Sequence, residues 1–217
     1  MRITMLILAA AALTAVAVAQ NPITADSPFQ VRYASNLTVG DSVINITNTG
    51  ANGASLFGPG FGGAVGNICV NVYAFSPDEQ LQACCSCLVT PDGLVSLSVV
   101  NDLISNTLTG IRPSSVVIKL ISTLAGTGGS GTSCTNSAAT ITTATIVRGM
   151  AAWGTTIHAG ATGGFETTET AFTPSTLSAG ELSSVGNRCL NIIGNGSGFG
   201  ICRSCRAGGL GAGRSAN

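Results

Sequence analysis

Eight cysteines stand at Cys69, Cys84, Cys85, Cys87, Cys134, Cys189, Cys202 and Cys205, and nothing else in the sequence narrows the fold as much. Whether they are thiols, metal ligands or disulfides depends on the compartment. The N-terminus decides that. Met1-Arg2 precedes an apolar run from Met5 to Leu13 that continues through Ala15–Ala19 and ends in the small-x-small triplet Ala17-Val18-Ala19. A single positive charge, a short apolar core and a small-residue cleavage site make a secretory signal. Residues 1–19 are therefore expected to be removed, leaving Gln20 as the new N-terminus. The run is too short and too alanine-rich for a membrane span, which needs about 20 strongly apolar residues. No later stretch qualifies as a transmembrane helix, so a secreted or cell-surface protein is expected. An even number of cysteines in an exported chain implies disulfides, here with 105 conceivable full pairings.

The mature chain, about 198 residues, is long enough to bury roughly 70% of its unfolded surface. The bridges, about 2–4 kcal/mol each, therefore reinforce a core and do not replace one. Charged residues make up only 8% of the chain, with nine basic, nine acidic and a single histidine. That balance leaves no electrostatic footprint for nucleic acid or an anionic membrane. Gly, Ser, Thr and Asn fill the polar positions, so copies of the chain repel one another weakly.

Alternation of apolar and polar residues is the main secondary-structure signal. Residues 20–28 carry two prolines and read as extended. In the segment that follows, Phe29, Val31 and Tyr33 alternate with Gln30 and Arg32, so 20–34 is expected to be an N-terminal arm ending in a strand. Strands are also predicted at Val43–Thr47, Ser115–Ser122, Ala139–Val147 and Gly154–His158. The stretches 53–66 and 126–131 are glycine-rich loops, the second pinned by Cys134. Between Cys69 and Val99, turn signatures at Ser76-Pro77-Asp78-Glu79 and Thr90-Pro91-Asp92-Gly93 separate three alternating runs, which predicts a three-stranded meander. Folding about Ser76–Glu79 sets Cys69 opposite Cys85 or Cys87, with Cys84 on the other face.

One helix is predicted, over 178–193. Ser178 and Glu181 form a capping box, and Leu182, Val185, Cys189 and Ile192 or Ile193 recur at helical spacing. Gly194-Asn195-Gly196 stops it, and the glycine-rich tail 207–217 is expected to be disordered. No repeat or linker divides residues 20–206, so a single β-rich domain is expected: an antiparallel β-sandwich-like body with an N-terminal arm and one C-terminal helix, stabilised by disulfides.

Chemistry-bearing constellations are scarce. Cys84 to Cys87 and Cys202 to Cys205 together offer four thiolates to zinc, but export favours disulfides over free thiolates. The Cys202-x-x-Cys205 pair lacks the βαβ setting of a redox motif. His158 would have to serve any Ser–His–Asp triad with Asp92 or Asp102, and no serine sits in a Gly-x-Ser-x-Gly elbow. Glu166 and Glu169 stand three apart in a Thr-rich stretch read as loop, without the acidic pattern of a calcium site. Trp153, Phe165 and Phe172 are read first as core, with a small binding platform as the alternative. Asn36, Asn45 and Asn195 open glycosylation sequons. No catalytic residue, cofactor or metal ligand is expected, and the chain is not expected to be an enzyme.

Gly40-Asp41 and the run to Gly50 resemble the opening strand of bacterial immunoglobulin-like surface domains. Two longer stretches, Cys69–Asp102 and Ser175–Gly209, resemble a group of uncharacterised secreted bacterial proteins. That second resemblance implies export and a shared fold, and carries no activity or site residue with it.

Two functions follow as expectations. The first is a non-enzymatic extracellular structural subunit, part of a surface filament or pilus-like fibre. Its partners would be copies of itself, and Phe29, Val31 and Tyr33 would complete a neighbour's sheet by strand addition. The alternative is a monomeric secreted adhesion module recognising a surface glycan or protein, with the same strand paired within its own sheet.

Overall fold

The computed structural model describes residues 25–57, 63–134, 137–203 and 205–207. The expected signal, the first residues of the arm to residue 24 and the tail from residue 208 lie outside them. The strands are β1 (Phe29–Ala34), β2 (Ser42–Asn48), β3 (Ile68–Phe75), β4 (Leu81–Val89), β5 (Leu94–Ser98), β6 (Val116–Leu124), β7 (Met150–Ala159), β8 (Phe165–Ala171), β9 (Thr173–Pro174) and β10 (Arg206–Ala207). The helix α1 spans Ala179–Gly194. The strands form two antiparallel sheets, ordered β4-β3-β6-β1-β9 and β10-β5-β2-β7-β8. The protein is thus a β-sandwich with one long helix and four disulfides.

The main core lies between the sheets and is built from Ile44, Ile46, Val70, Val72, Leu97, Ile118, Leu120 and their neighbours. A second core lies on the far side of the first sheet, where Phe29, Tyr73 and Ile121 meet Leu182, Val185, Cys189 and Ile192 of α1. The helix begins as its sequence dictates, with the Ser178 Oγ accepting from the Glu181 N–H at 3.1 Å. The Glu181 carboxylate does not reach back over the cap. It accepts from Lys119 of β6 at 2.5 Å, and so fastens the helix to the sheet.

The β3–β4 hairpin is present, but the meander is not. Pro91 has no N–H to continue a ladder, and the Asp92 N–H donates to the Asn48 carbonyl at 3.0 Å. The turn is thereby tied to the end of β2, and β5 enters the second sheet. The cysteine register also differs from the expected one. Gln82 is an extra residue on β4, lying between the Phe75–Leu81 and Ala74–Ala83 pairs, and its side chain donates back to the Ser76 Oγ at 2.8 Å. This bulge sets Cys69 opposite Leu88, while Cys85 faces Val72 and Cys87 faces Val70. The bridges are Cys69–Cys134, Cys84–Cys189, Cys85–Cys202 and Cys87–Cys205. Cys84 does point away from Cys85 and Cys87, as alternation requires.

Residues 139–147 form no strand. Short 3-10 turns at Ser137–Ala139 and Thr143–Thr145 carry this segment over the first sheet, where the Tyr73 hydroxyl donates to the Ala138 carbonyl at 2.7 Å. Threonines that alternate along a strand also bond locally, as the Thr145 Oγ1 does to the Thr142 carbonyl at 2.8 Å, and here the local bonds prevail. Glu166 and Glu169, read as loop, lie in β8, and Ala207, expected in the tail, pairs with Val95 in β10.

Candidate binding surface

β1 pairs with β6 over six residues and with β9 over two, so in this structure it completes its own sheet. Its alternation is inverted relative to a simple apolar-in reading. Phe29 packs beneath α1 and Tyr33 is 60% exposed, while Gln30, Arg32 and Ala34 point between the sheets. The Gln30 Nε2 donates to the carbonyls of Ala25, Ser27 and Met150 at 3.0, 3.0 and 2.8 Å.

Arg32 is 8% exposed, and among the described residues no carboxylate lies within ion-pair distance of it. Three hydroxyls receive its guanidinium instead: Ser42 at 2.8 Å, Thr156 at 2.7 Å and Thr170 at 3.2 Å. Burial holds its pKa below the ordinary arginine value. Gly154 leaves room directly beneath it, since a Cβ there would lie 2.0 Å from the guanidinium carbon and would force the guanidinium to move. One arginine on the first sheet thereby grips β2, β7 and β8 of the second.

The grip matters because β8 has little else behind it. All seven of its residues are exposed, and it forms an edge of the second sheet. β7 and β8 make a two-stranded ribbon held from within by Thr156 and Thr170. The other face of the ribbon turns outward. There the Ser96 Oγ donates to the Asn45 Oδ1 at 2.7 Å, and the Asn45 Nδ2 donates to the Thr155 Oγ1 at 3.3 Å. This polar line crosses β5, β2 and β7. Asn45 is the register partner of Trp153, whose indole is 38% exposed, and Glu169 is the partner of Thr155.

The residues singled out in the sequence fall as follows. Phe172 is in the core between the sheets. Trp153 and Phe165, the latter 75% exposed, share the outer face at opposite ends of the ribbon, roughly 20 Å apart along six strand residues. The three rings therefore form no common platform. Glu166 and Glu169 sit on opposite faces of β8, since residues three apart on a strand diverge. The His158 Nε2 pairs with the Thr168 Oγ1 at 3.0 Å. Asp102 is buried and accepts from the Ser98 N–H at 2.8 Å, and Asp92 lies in the turn after β4. Asn45 is engaged in the outer-face line, and the Asn195 side chain accepts from the Ser197 N–H at 2.8 Å.

Sequence reasoning missed Arg32 and Gly154 as a pair. Alternation puts Arg32 on the polar, outward-reading face of its strand, so no local signal marks it, and only the opposing glycine, far away in sequence, shows where its guanidinium goes. Cysteine state and burial agree with an oxidising compartment: all eight cysteines are bridged. Among the described residues no helix is long and apolar enough to cross a membrane. Compared with known proteins, the chain matches no protein-family description, no curated protein and no solved structure.

Proposed function

We propose that this is a non-enzymatic, extracellular binding module that recognises a surface glycan or protein through the outward face of β2, β7 and β8. The observation that carries the reading is the ribbon itself. Its outer side presents an indole beside the half-buried Asn45 and Thr155, while its inner side is clamped by Arg32. A rigid exposed aromatic flanked by amide and hydroxyl groups binds with little ordering entropy. The cis pairing of β1 also favours a module complete in one chain. The test is binding of the mature protein to immobilised glycans and cell-surface extracts, with Trp153→Ala as the control. Loss of binding in a variant that unfolds at the wild-type temperature supports the reading; undiminished binding sends the site elsewhere.

A second reading, a subunit of an extracellular filament, draws support from β8. It is an exposed edge strand of seven residues without lysine or proline, although Glu166 and Glu169 place two negative charges along it. Negative-stain microscopy of mature protein across a wide concentration range separates the two. Regular fibres abolished by a proline in β8 favour the filament, and uniform monomers favour the binding module.

A further inference from the structure

Cys85 and Cys87 are two apart on β4 and so project from one face of it. Cys202 and Cys205 follow α1 on a segment bound to the same strand, where the Cys84 N–H donates to the Gly200 carbonyl at 2.9 Å. The sulfurs of Cys85, Cys87 and Cys205 all lie within 4.8 Å of one another, and the Cys202 sulfur is bonded to that of Cys85. Four sulfurs carried on two short stretches therefore meet at one place. Cys85, Cys202 and Cys205 also border a surface groove of about 410 Å³ that Cys84, Cys134, Ser86 and Ile201 help to line.

The two bridges here are more accessible than Cys84–Cys189. Cys85, Cys202 and Cys205 are each at least partly open to solvent. The Cys84–Cys189 bridge is closed at both ends, at 1% and 0% exposure. A dithiol arriving from solvent therefore reaches the clustered pair before Cys84–Cys189, while Cys69–Cys134 is open to it at the half-buried Cys134.

We propose that, once reduced, these four cysteines form a tetrahedral site for Zn²⁺. One dithiol reduces each bridge: its first thiolate attacks a cysteine sulfur, its second closes the dithiol into a cyclic disulfide, and two protein thiols are left. Two dithiols thus deliver four electrons and four protons to the two bridges. Zn²⁺ then takes the four sulfurs as thiolates and releases four protons. At a Zn–S distance of about 2.3 Å, the sulfurs of a tetrahedron lie roughly 3.8 Å apart. Three of the sulfurs, those of Cys85, Cys87 and Cys205, already lie within 4.8 Å of one another, and Cys202, bonded to Cys85, completes the set by side-chain rotation once its bridge is opened. The metal would replace the two bridges as the tie between β4 and the C-terminal segment. The site is independent of the recognition surface, which lies on the other sheet.

The test uses the full mature chain, purified oxidised, reduced anaerobically with a dithiol and freed of excess reductant. Co²⁺ is titrated as a spectroscopic substitute and then displaced by Zn²⁺. The expected result is the intense visible spectrum of tetrahedral thiolate-bound Co²⁺, saturating at one ion per chain and bleached by Zn²⁺. It should persist in C69S/C134S and vanish in C202S/C205S. An equal spectrum in C202S/C205S, in the urea-unfolded reduced chain, or none in the reduced wild type would overturn the site. Should C202S/C205S fail to fold, alkylation of the reduced wild type decides. Zn²⁺ must protect Cys85, Cys87, Cys202 and Cys205 above the other four, and equal labelling with and without Zn²⁺ sinks the proposal.

Discussion

The two sheets of this sandwich carry similar strands under different circumstances. β3, in the first sheet, is buried along all eight residues, because the second sheet covers one face and α1 with the segment 137–147 covers the other. β2, in the second sheet, alternates between buried and half-buried residues along its length, because only its inner face is packed. The first sheet is therefore the middle layer of three, and the second is an outer layer. Two disulfides, Cys69–Cys134 and Cys84–Cys189, follow this division, whereas Cys85–Cys202 and Cys87–Cys205 start from the inter-sheet side of β4 and lead toward β10 of the second sheet. Cys69, Cys84, Cys85 and Cys87 all lie in the first sheet, and none of the eight lies in β2, β5, β7 or β8. Two bridges thus hold the cover down, the other two tie β4 to the C-terminal segment, and the outer ribbon of β7 and β8 carries no bridge and is held by one buried arginine.

Four experiments would break or sharpen that contrast. The largest effect is expected from removing the bridge that holds the helix down. C84A/C189A opens a loop of 105 residues and should lower stability by about 4 kcal/mol, measured by urea unfolding. Retention of near-wild-type stability would mean that the helix is held by packing alone.

Next comes the clamp. Arg32→Met leaves the hydroxyls of Ser42, Thr156 and Thr170 without their donor and should cost about 2 kcal/mol. Amide exchange should accelerate first in β8. Arg32→Lys should rescue little, since an ammonium cannot span three acceptors set in a planar fork. Uniform acceleration over both sheets would show that the clamp has no special hold on the ribbon.

A smaller effect is expected at Tyr73, beneath the cover. Its hydroxyl is fully buried, and burial raises its pKa far above the ordinary phenol value. The neutral form is the folded one, whereas the unfolded chain loses the proton near pH 10. Its contribution is thus complete below about pH 10 and declines as pH rises beyond it. Tyr73→Phe should lose about 1 kcal/mol at neutral pH and flatten the alkaline fall in melting temperature. An unchanged alkaline profile in the variant would assign that fall to other groups.

The smallest effect on stability is expected on the open face. Trp153→Ala should change it by under about 0.5 kcal/mol, even though it removes the largest exposed ring of the proposed site. A large loss would identify the indole as packing and withdraw it from recognition.

Much of this contrast was legible from the residues. The Ser178 cap and the spacing of Leu182, Val185, Cys189 and Ile192 predicted α1 almost to the residue, because helix signals are local. The alternation in β1, β2 and β6 likewise marked strands. It did not say which face would be wet. In β1 the apolar set Phe29, Val31 and Tyr33 looks like an inward face, yet it turns toward α1 and solvent while Gln30 and Arg32 enter the sandwich. The candidate surface was only partly visible: Trp153 reads first as core, alternation puts Thr155 on its face of the same strand, and Asn45 comes from β2, whose adjacency no local pattern encodes.

By itself the sequence determined the oxidised cysteines, the β-rich body, the single long helix and where the chain turns, since each rests on local propensity, periodicity or compartment chemistry. Tertiary structure alone decided which cysteine meets which, where β5 goes, and that the guanidinium of Arg32 lies on Gly154. Those outcomes hinge on register. One extra residue at Gln82 moves every pair beyond it along the hairpin, and one bond from Asp92 to Asn48 carries a strand into the other sheet.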